Sequence, residues 1–256
     1  MTMHTILLPT LGADSTFLVA SVLMAAGFVH GSVGFAFAMI STPILAMWMD
    51  LSSAILITLF PTIFINAASI GTIRGWQKMA QKHISFVLLA LMGSVLGTLI
   101  LLAWDARWMK LLLALMIFLY LALGKLRVEF DFVNRSPRTS LISFALIGGM
   151  LGGITNNMSP ILIIYALTKR YPKEESIVFM NLSFLLGKLS QIAVFLLMGR
   201  WLGLTTLLYT TAAALGGFYL GAKVRKHIPE RTYVGIVKGM LLLIAVAIVI
   251  RYLYTS

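Results

Sequence analysis

Two stretches, His30-Gly31-Ser32-Val33-Gly34 and Gly152-Gly153-Ile154-Thr155-Asn156-Asn157, interrupt the two longest apolar runs of the chain. The first run, residues 15–49, has no Asp, Glu, Lys or Arg and would measure about 52 Å as one helix at about 1.5 Å per residue. The second, residues 139–168, would measure about 45 Å. A bilayer's hydrocarbon core is only about 30 Å thick. Each run is therefore read as a hairpin, two shortened arms folded back at a glycine-rich break. Lipid tolerates such a break only where protein or a watery cavity surrounds the freed backbone.

Composition makes lipid the relevant solvent. Of 256 residues 60% are apolar and 11% charged, whereas a soluble domain carries about 25% charge. Disorder is excluded by the same numbers. The net charge of +12 is scattered in short clusters between apolar stretches, not gathered into a nucleic-acid footprint. The absence of cysteine rules out disulfides and thiolate metal sites. Residues 1–17 lack the Lys and Arg of a cleaved signal peptide, so the first apolar stretch is read as a retained insertion signal.

Single crossings of about 20 residues are expected at about 51–73, 84–104, 108–124, 176–199, 201–222 and 232–254. Trp108, Lys110 and Lys125 lie at the ends of the shortest, and Lys238 lies about two turns from an interface, close enough to snorkel. With both hairpins folded back, fourteen Lys and Arg fall on one face and four on the other. Single crossings in their place would give nine against nine. The positive-inside rule selects the first arrangement, with residues 126–138 as a cytoplasmic linker and both termini periplasmic.

The halves 1–125 and 139–256 also echo each other. Gly27 and Gly31 precede Thr42-Pro43-Ile44-Leu45, and Gly148 and Gly152 precede Ser159-Pro160-Ile161-Leu162. Leu91-x-Gly93-x3-Gly97 is answered by Leu215-x-Gly217-x3-Gly221. Small residues four apart are common at any membrane helix contact, but their order and spacing across both halves favour duplication. The fold class expected is an all-α polytopic membrane protein of two inverted repeats. Each repeat is a broken helical hairpin followed by three transmembrane helices, an architecture used by secondary transporters with substrate near the midplane.

At these paired motifs the sequence resembles the sulfite exporter TauE/SafE family of bacterial membrane transporters, over essentially the whole chain. The resemblance implies a multi-pass permease of the bacterial cytoplasmic (inner) membrane for sulfite, an organosulfonate or a similar sulfur oxyanion. Where the family often has further glycines, this chain has Phe35-Ala36-Phe37 and Thr155-Asn156-Asn157.

Candidate substrate-binding residues follow from what holds a small anion in lipid. Both breaks present a helix N-terminus, whose free N–H groups and dipole favour an oxyanion, near Gly34 and near Thr155. Thr155, Asn156 and Asn157 add donors, as do Ser32, Ser41 and Thr42 from the other half; Asn156 would equally serve as a helix cap. Lys188 lies eleven residues from either end of its span with no carboxylate in any span to pair with it. A bound anion would supply its counter-charge, and backbone carbonyls or deprotonation would be the alternatives. His30 reads as a proton carrier, a donor to substrate or a turn-closing hydrogen bond. Asn66 and Asn181 occupy counterpart crossings, lining the path or bonding between helices.

No enzymatic constellation is present: there is no His-Glu-x-x-His pair, no Gly-x-Ser-x-Gly elbow and no P-loop. The chain reads as a transporter and not an enzyme, with no cofactor and no metal. Its partners would be a small sulfur oxyanion, the lipid bilayer and a second copy in a homodimer, with no nucleic acid. Export is favoured over ion-coupled organosulfonate uptake or a passive small-anion channel, since an inside-negative potential favours outward movement of an anion by about 2.3 kcal/mol per charge per 100 mV. Reporter fusions at Lys169–Lys173 and at Lys223–Lys226 should both report the cytoplasm, and a fusion at Ser256 the periplasm. A periplasmic signal at Lys169–Lys173 would sink both the fold-back and the inversion.

Overall fold

The computed structural model describes residues 13–104, 106–123, 134–224 and 230–254. Residues 1–12, Lys125, most of the 126–138 linker, residues 225–229, Ser256 and the side chain of Lys238 lie outside the described residues. Among the described residues the chain is all helical, with ten helices. The first half comprises α1 (Ala13–Val33), α2 (Phe37–Leu45), α3 (Leu51–Gly71), α4 (Trp76–Ala103) and α5 (Ala106–Leu123). The second comprises α6 (Pro137–Thr155), α7 (Ser159–Thr168), α8 (Lys173–Leu197), α9 (Leu204–Val224) and α10 (Glu230–Tyr254). Among the described residues five helices are long and apolar enough to cross a membrane: α1, α3, α4, α6 and α8.

Both long apolar runs break as expected, but a few residues later than their glycines suggest. Helix α1 runs through His30-Gly31-Ser32-Val33 and stops at Gly34, where the backbone turns left-handed (φ 96°). Helix α6 runs through Gly152 and Gly153 and stops at Asn156 (φ 63°), a conformation that glycine and asparagine tolerate best. Ile161 packs on Gly148, so α7 folds back along α6. The second arms α2 and α7 are 9 and 10 residues long, about 14–15 Å. Each therefore reaches only halfway through a bilayer.

Eight glycines within the helices make helix contacts. A Cβ on Gly27 or Gly31 would collide with the carbonyl oxygens of Ala214 and Phe218, and one on Gly217 or Gly221 with those of Met24 and Phe28. So α1 and α9 meet backbone to backbone. The same contact recurs between α4 and α6: Gly93 and Gly97 meet Leu146 O and Met150 O, while Gly149 and Gly153 meet Ala90 O and Ser94 O. Each hairpin is thus clamped to a helix of the other half.

These contacts shift the register in which the two halves echo each other. Gly149 and Gly153, not Gly148 and Gly152, correspond to Gly27 and Gly31, each 122 residues on. Gly34 and Asn156 then coincide at the two breaks. Pro43 and Pro160 do not coincide: Pro43 lies near the end of α2 and Pro160 at the start of α7. Gly148 and Gly152 instead accommodate Ile161 and Met158 of the folded-back arm.

Two boundaries also move. The basic stretch Arg74–His83, expected as a loop, is mostly the first turns of α4. Helix α8 starts at Lys173 after Pro172, which places Glu174 and Glu175 in its first turn, so this helix does contain carboxylates. Glu175 accepts hydrogen bonds from Lys82 Nζ at 2.6 Å and His83 Nε2 at 2.9 Å, tying α8 to α4.

Helices α3 and α8 pack at the centre and run antiparallel. Arg200, just past α8, donates to Ser52 near the start of α3, while Ser69 near the end of α3 and Asn181 early in α8 both donate to Gly34 O. Replacing Gly97 or Gly221 by valine should lower the midpoint of thermal unfolding in detergent, with a loss of about 1–3 kcal/mol each. Gly216→Ala, on the open face of α9 where a Cβ meets nothing, should cost nothing. Equal melting of all three variants would discount the clamp.

Candidate functional site

The breaks of both hairpins meet the central helices α3 and α8, and two polar features form there. The first is a closed network. Lys188 on α8 is fully buried, and its Nζ donates to Asn156 Oδ1 and Gln191 Oε1. Asn156 Nδ2 donates to Thr42 Oγ1 at 2.7 Å and Thr58 Oγ1 at 2.8 Å, and Gln191 Nε2 to Gly153 O at 3.0 Å. Thr58 spends its own hydroxyl proton on Ile55 O at 2.8 Å. It can therefore only accept from Asn156, which fixes that amide with its oxygen toward Lys188. One asparagine at the second break thus joins α8 to α2 and α3 of the other half.

The second feature is a small cavity lined by His30, Ala36–Met39, Thr62, Asn66, Ser159 and Phe184. Ala36–Met39 is the N-terminus of α2, and Ser159 the first residue of α7. Two half-helices that begin at opposite breaks therefore point their N-termini at one space, where backbone N–H groups and helix dipoles favour negative charge. Asn66 Nδ2 and Ser159 Oγ, on residues 2% and 0% exposed, have no hydrogen-bond partner. Neighbouring Asn157 Nδ2 has none either. Leaving a buried donor unpaired costs about 1–3 kcal/mol, and an oxyanion would recover it.

The residues singled out by sequence divide between these features and local structure. Asn66 and His30 line the cavity; His30 Nδ1 also accepts from Phe37 N–H at 3.3 Å, closing the first break. Lys188, Asn156 and Thr42 form the network, so Lys188 does not itself line the cavity. Asn157 Oδ1 caps α7 by accepting from Ser159 N–H at 3.1 Å. Thr155 Oγ1 bonds Leu151 O at 2.7 Å and the Asn157 backbone, so Thr155 shapes the turn.

Gly34 offers its carbonyl to Ser69 and Asn181, and Asn181 Oδ1 stays unpartnered. Ser41 bonds back to Phe37 O at 2.9 Å. Ser32 bonds Phe28 O at 2.8 Å and reaches Gly221 O on α9 at 3.3 Å. Both serine hydroxyls are spent on backbone carbonyls, and neither serine lines the cavity.

Sequence reading missed Gln191, Thr58, Thr62 and Ser159 as site residues. Gln191 had a signal: it sits three residues after a buried lysine, on the same helix face. Thr58 and Thr62 had none, since hydroxyls in membrane helices ordinarily bond to the preceding turn, as Thr62 does to Thr58 O. Among the described residues no group of His, Asp and Glu could hold a metal ion.

A family model described as Sulfite exporter TauE/SafE matches residues 19–248. No curated protein and no solved structure matches the chain. Asn156→Gly keeps the left-handed backbone available while deleting the amide, and should cost about 1–3 kcal/mol of stability. Asn156→Ala should cost about 1–2 kcal/mol more, because alanine resists that backbone conformation. Unfolding midpoints of the detergent-solubilised variants measure both, and unchanged values would mean that the network stabilises nothing.

Proposed function

The chain belongs to the sulfite exporter TauE/SafE family of membrane transporters, and from that premise we propose that it exports a small sulfur oxyanion across a bacterial cytoplasmic membrane. The anion is held in the cavity where α2 and α7 begin. The observation that carries this reading is the convergence of two half-helix N-termini on one space with Asn66 Nδ2 and Ser159 Oγ unpartnered beside it. His30, Asn66 and Ser159 can each donate a hydrogen bond there, while Thr62 donates to Thr58 O, and among the described residues no carboxylate lines the cavity. That chemistry suits the oxygens of sulfite or a sulfonate group.

We read the halves as inverted repeats. Counterpart helices α3 and α8 run antiparallel, and each hairpin is clamped to the equivalent helix of the other half. In such an architecture the substrate sits between the repeats, and rocking of one against the other exposes it to either side. The enclosure of the cavity residues favours a carrier over an open channel. Export then follows the gradient of an anion generated inside the cell.

A thermal-shift screen of the purified protein against sulfite, sulfate, sulfoacetate, taurine, thiosulfate and nitrate tests the reading. A ligand at 100 times its dissociation constant should stabilise by about 2.7 kcal/mol. Ser159→Ala and Asn66→Leu should abolish the shift, and Lys238→Met should keep it. A shift that survives both cavity substitutions would place the anion elsewhere.

A further inference from the structure

The cavity and the lysine network are stacked one helical turn apart on the same two helices. Thr62 and Phe184 line the cavity, while Thr58 and Lys188, four residues from each, belong to the network. Because α3 and α8 are antiparallel, both steps lead the same way, by about 6 Å. An anion in the cavity would therefore lie within electrostatic reach of the Lys188 nitrogen, across buried protein where charges are poorly screened.

Counting hydrogen bonds shows which form of Lys188 the network accommodates. A neutral amine has two N–H donors, and an ammonium has three. Among the described residues Nζ meets two acceptors, Asn156 Oδ1 and Gln191 Oε1. Both amides are held in that orientation by bonds on their far sides. The network is thus complete for the amine and one acceptor short for the ammonium.

No opposite charge compensates for burial. Near Lys188, α3 brings Thr58, α4 brings Ser94 and Thr98, and the second break brings Asn156 and Met158. Titratable groups on the packed elements are His30 at the cavity, Tyr165, His83 and Glu175 toward the start of α8, and Arg200 just past its end. A buried cation without a counter-charge is costly, and pairing removes that cost.

We propose that Lys188 takes up one proton from solution as an oxyanion enters the cavity, so that the loaded site is an ammonium–anion pair of no net charge. The lone pair of Nζ binds the proton, and no bond in the anion is broken. With a monoanion, the loaded carrier then crosses without moving net charge. Gradients of the anion and of protons set its direction, in place of the potential-driven movement expected from sequence. The proposal rests on the cavity being the anion site.

Calorimetric titration of the purified full chain with methanesulfonate, a monoanion that does not itself titrate, measures the uptake directly. The titration is run at pH 8.5 in two buffers of different ionisation heat. About one proton taken up per anion bound is expected. Lys188→Arg, whose guanidinium stays charged, should bind with no uptake, and Lys188→Met should bind more weakly with none. Binding by the unaltered protein without proton uptake, or uptake that persists in either variant, overturns the proposal while leaving the anion site standing. An absence of binding to the unaltered protein removes the site itself and the proposal with it.

Discussion

Helices in lipid gain nothing from hiding apolar surface from one another, because the lipid is equally apolar, so they associate through close packing and polar contacts. Here that requirement falls on eight glycines. Gly27, Gly31, Gly217 and Gly221 bring α1 and α9 to backbone contact, and Gly93, Gly97, Gly149 and Gly153 do the same for α4 and α6. Any side chain at these positions would push two helices apart. These contacts fix the long arm of each hairpin, and hence the depth at which each break occurs. The cavity, the network and the antiparallel centre all depend on that depth.

Given that scaffold, the polar chemistry follows from arithmetic on the backbone. A helix that begins halfway leaves N–H groups without partners, and two such ends meeting at one place make a donor-rich pocket. The first break satisfies part of its own need through His30 and the second through Asn157. The donors left over belong to side chains on α3 and on the two residues around the start of α7. Lys188 sits one turn away, bound by two neutral amides.

Much of this was legible in the sequence because membrane thickness is a hard ruler. Runs of 35 and 30 residues cannot cross once, so the hairpins could be inferred without any contact information. The exact break was harder to read. Glycine marks both a helix stop and a helix contact, and Gly31 and Gly153 proved to be contacts while Gly34 and Asn156 make the turns. Lys188 stood out because a charge amid apolar residues demands a partner; that partner, Asn156, was itself on the candidate list, though the bond between them was not foreseen. Thr58 and Ser159 matter only through what the other half brings beside them, which no local pattern encodes.

The exchange of hairpins also shapes how the molecule is made. Gly97 and Gly153 are 56 residues apart, so the α4–α6 contact can close soon after α6 leaves the ribosome. The α1–α9 contact joins Gly31 to a helix whose matching glycine, Gly221, comes 190 residues later, about 10–40 s at synthesis rates of 5–20 residues per second. Throughout that interval the glycine face of α1 lies open in the bilayer with no helix of its own half to cover it. The nascent chain must therefore hold the glycine face of α1 uncovered until α9 has arrived. Insertion machinery or lipid has to shield it for as long as that takes.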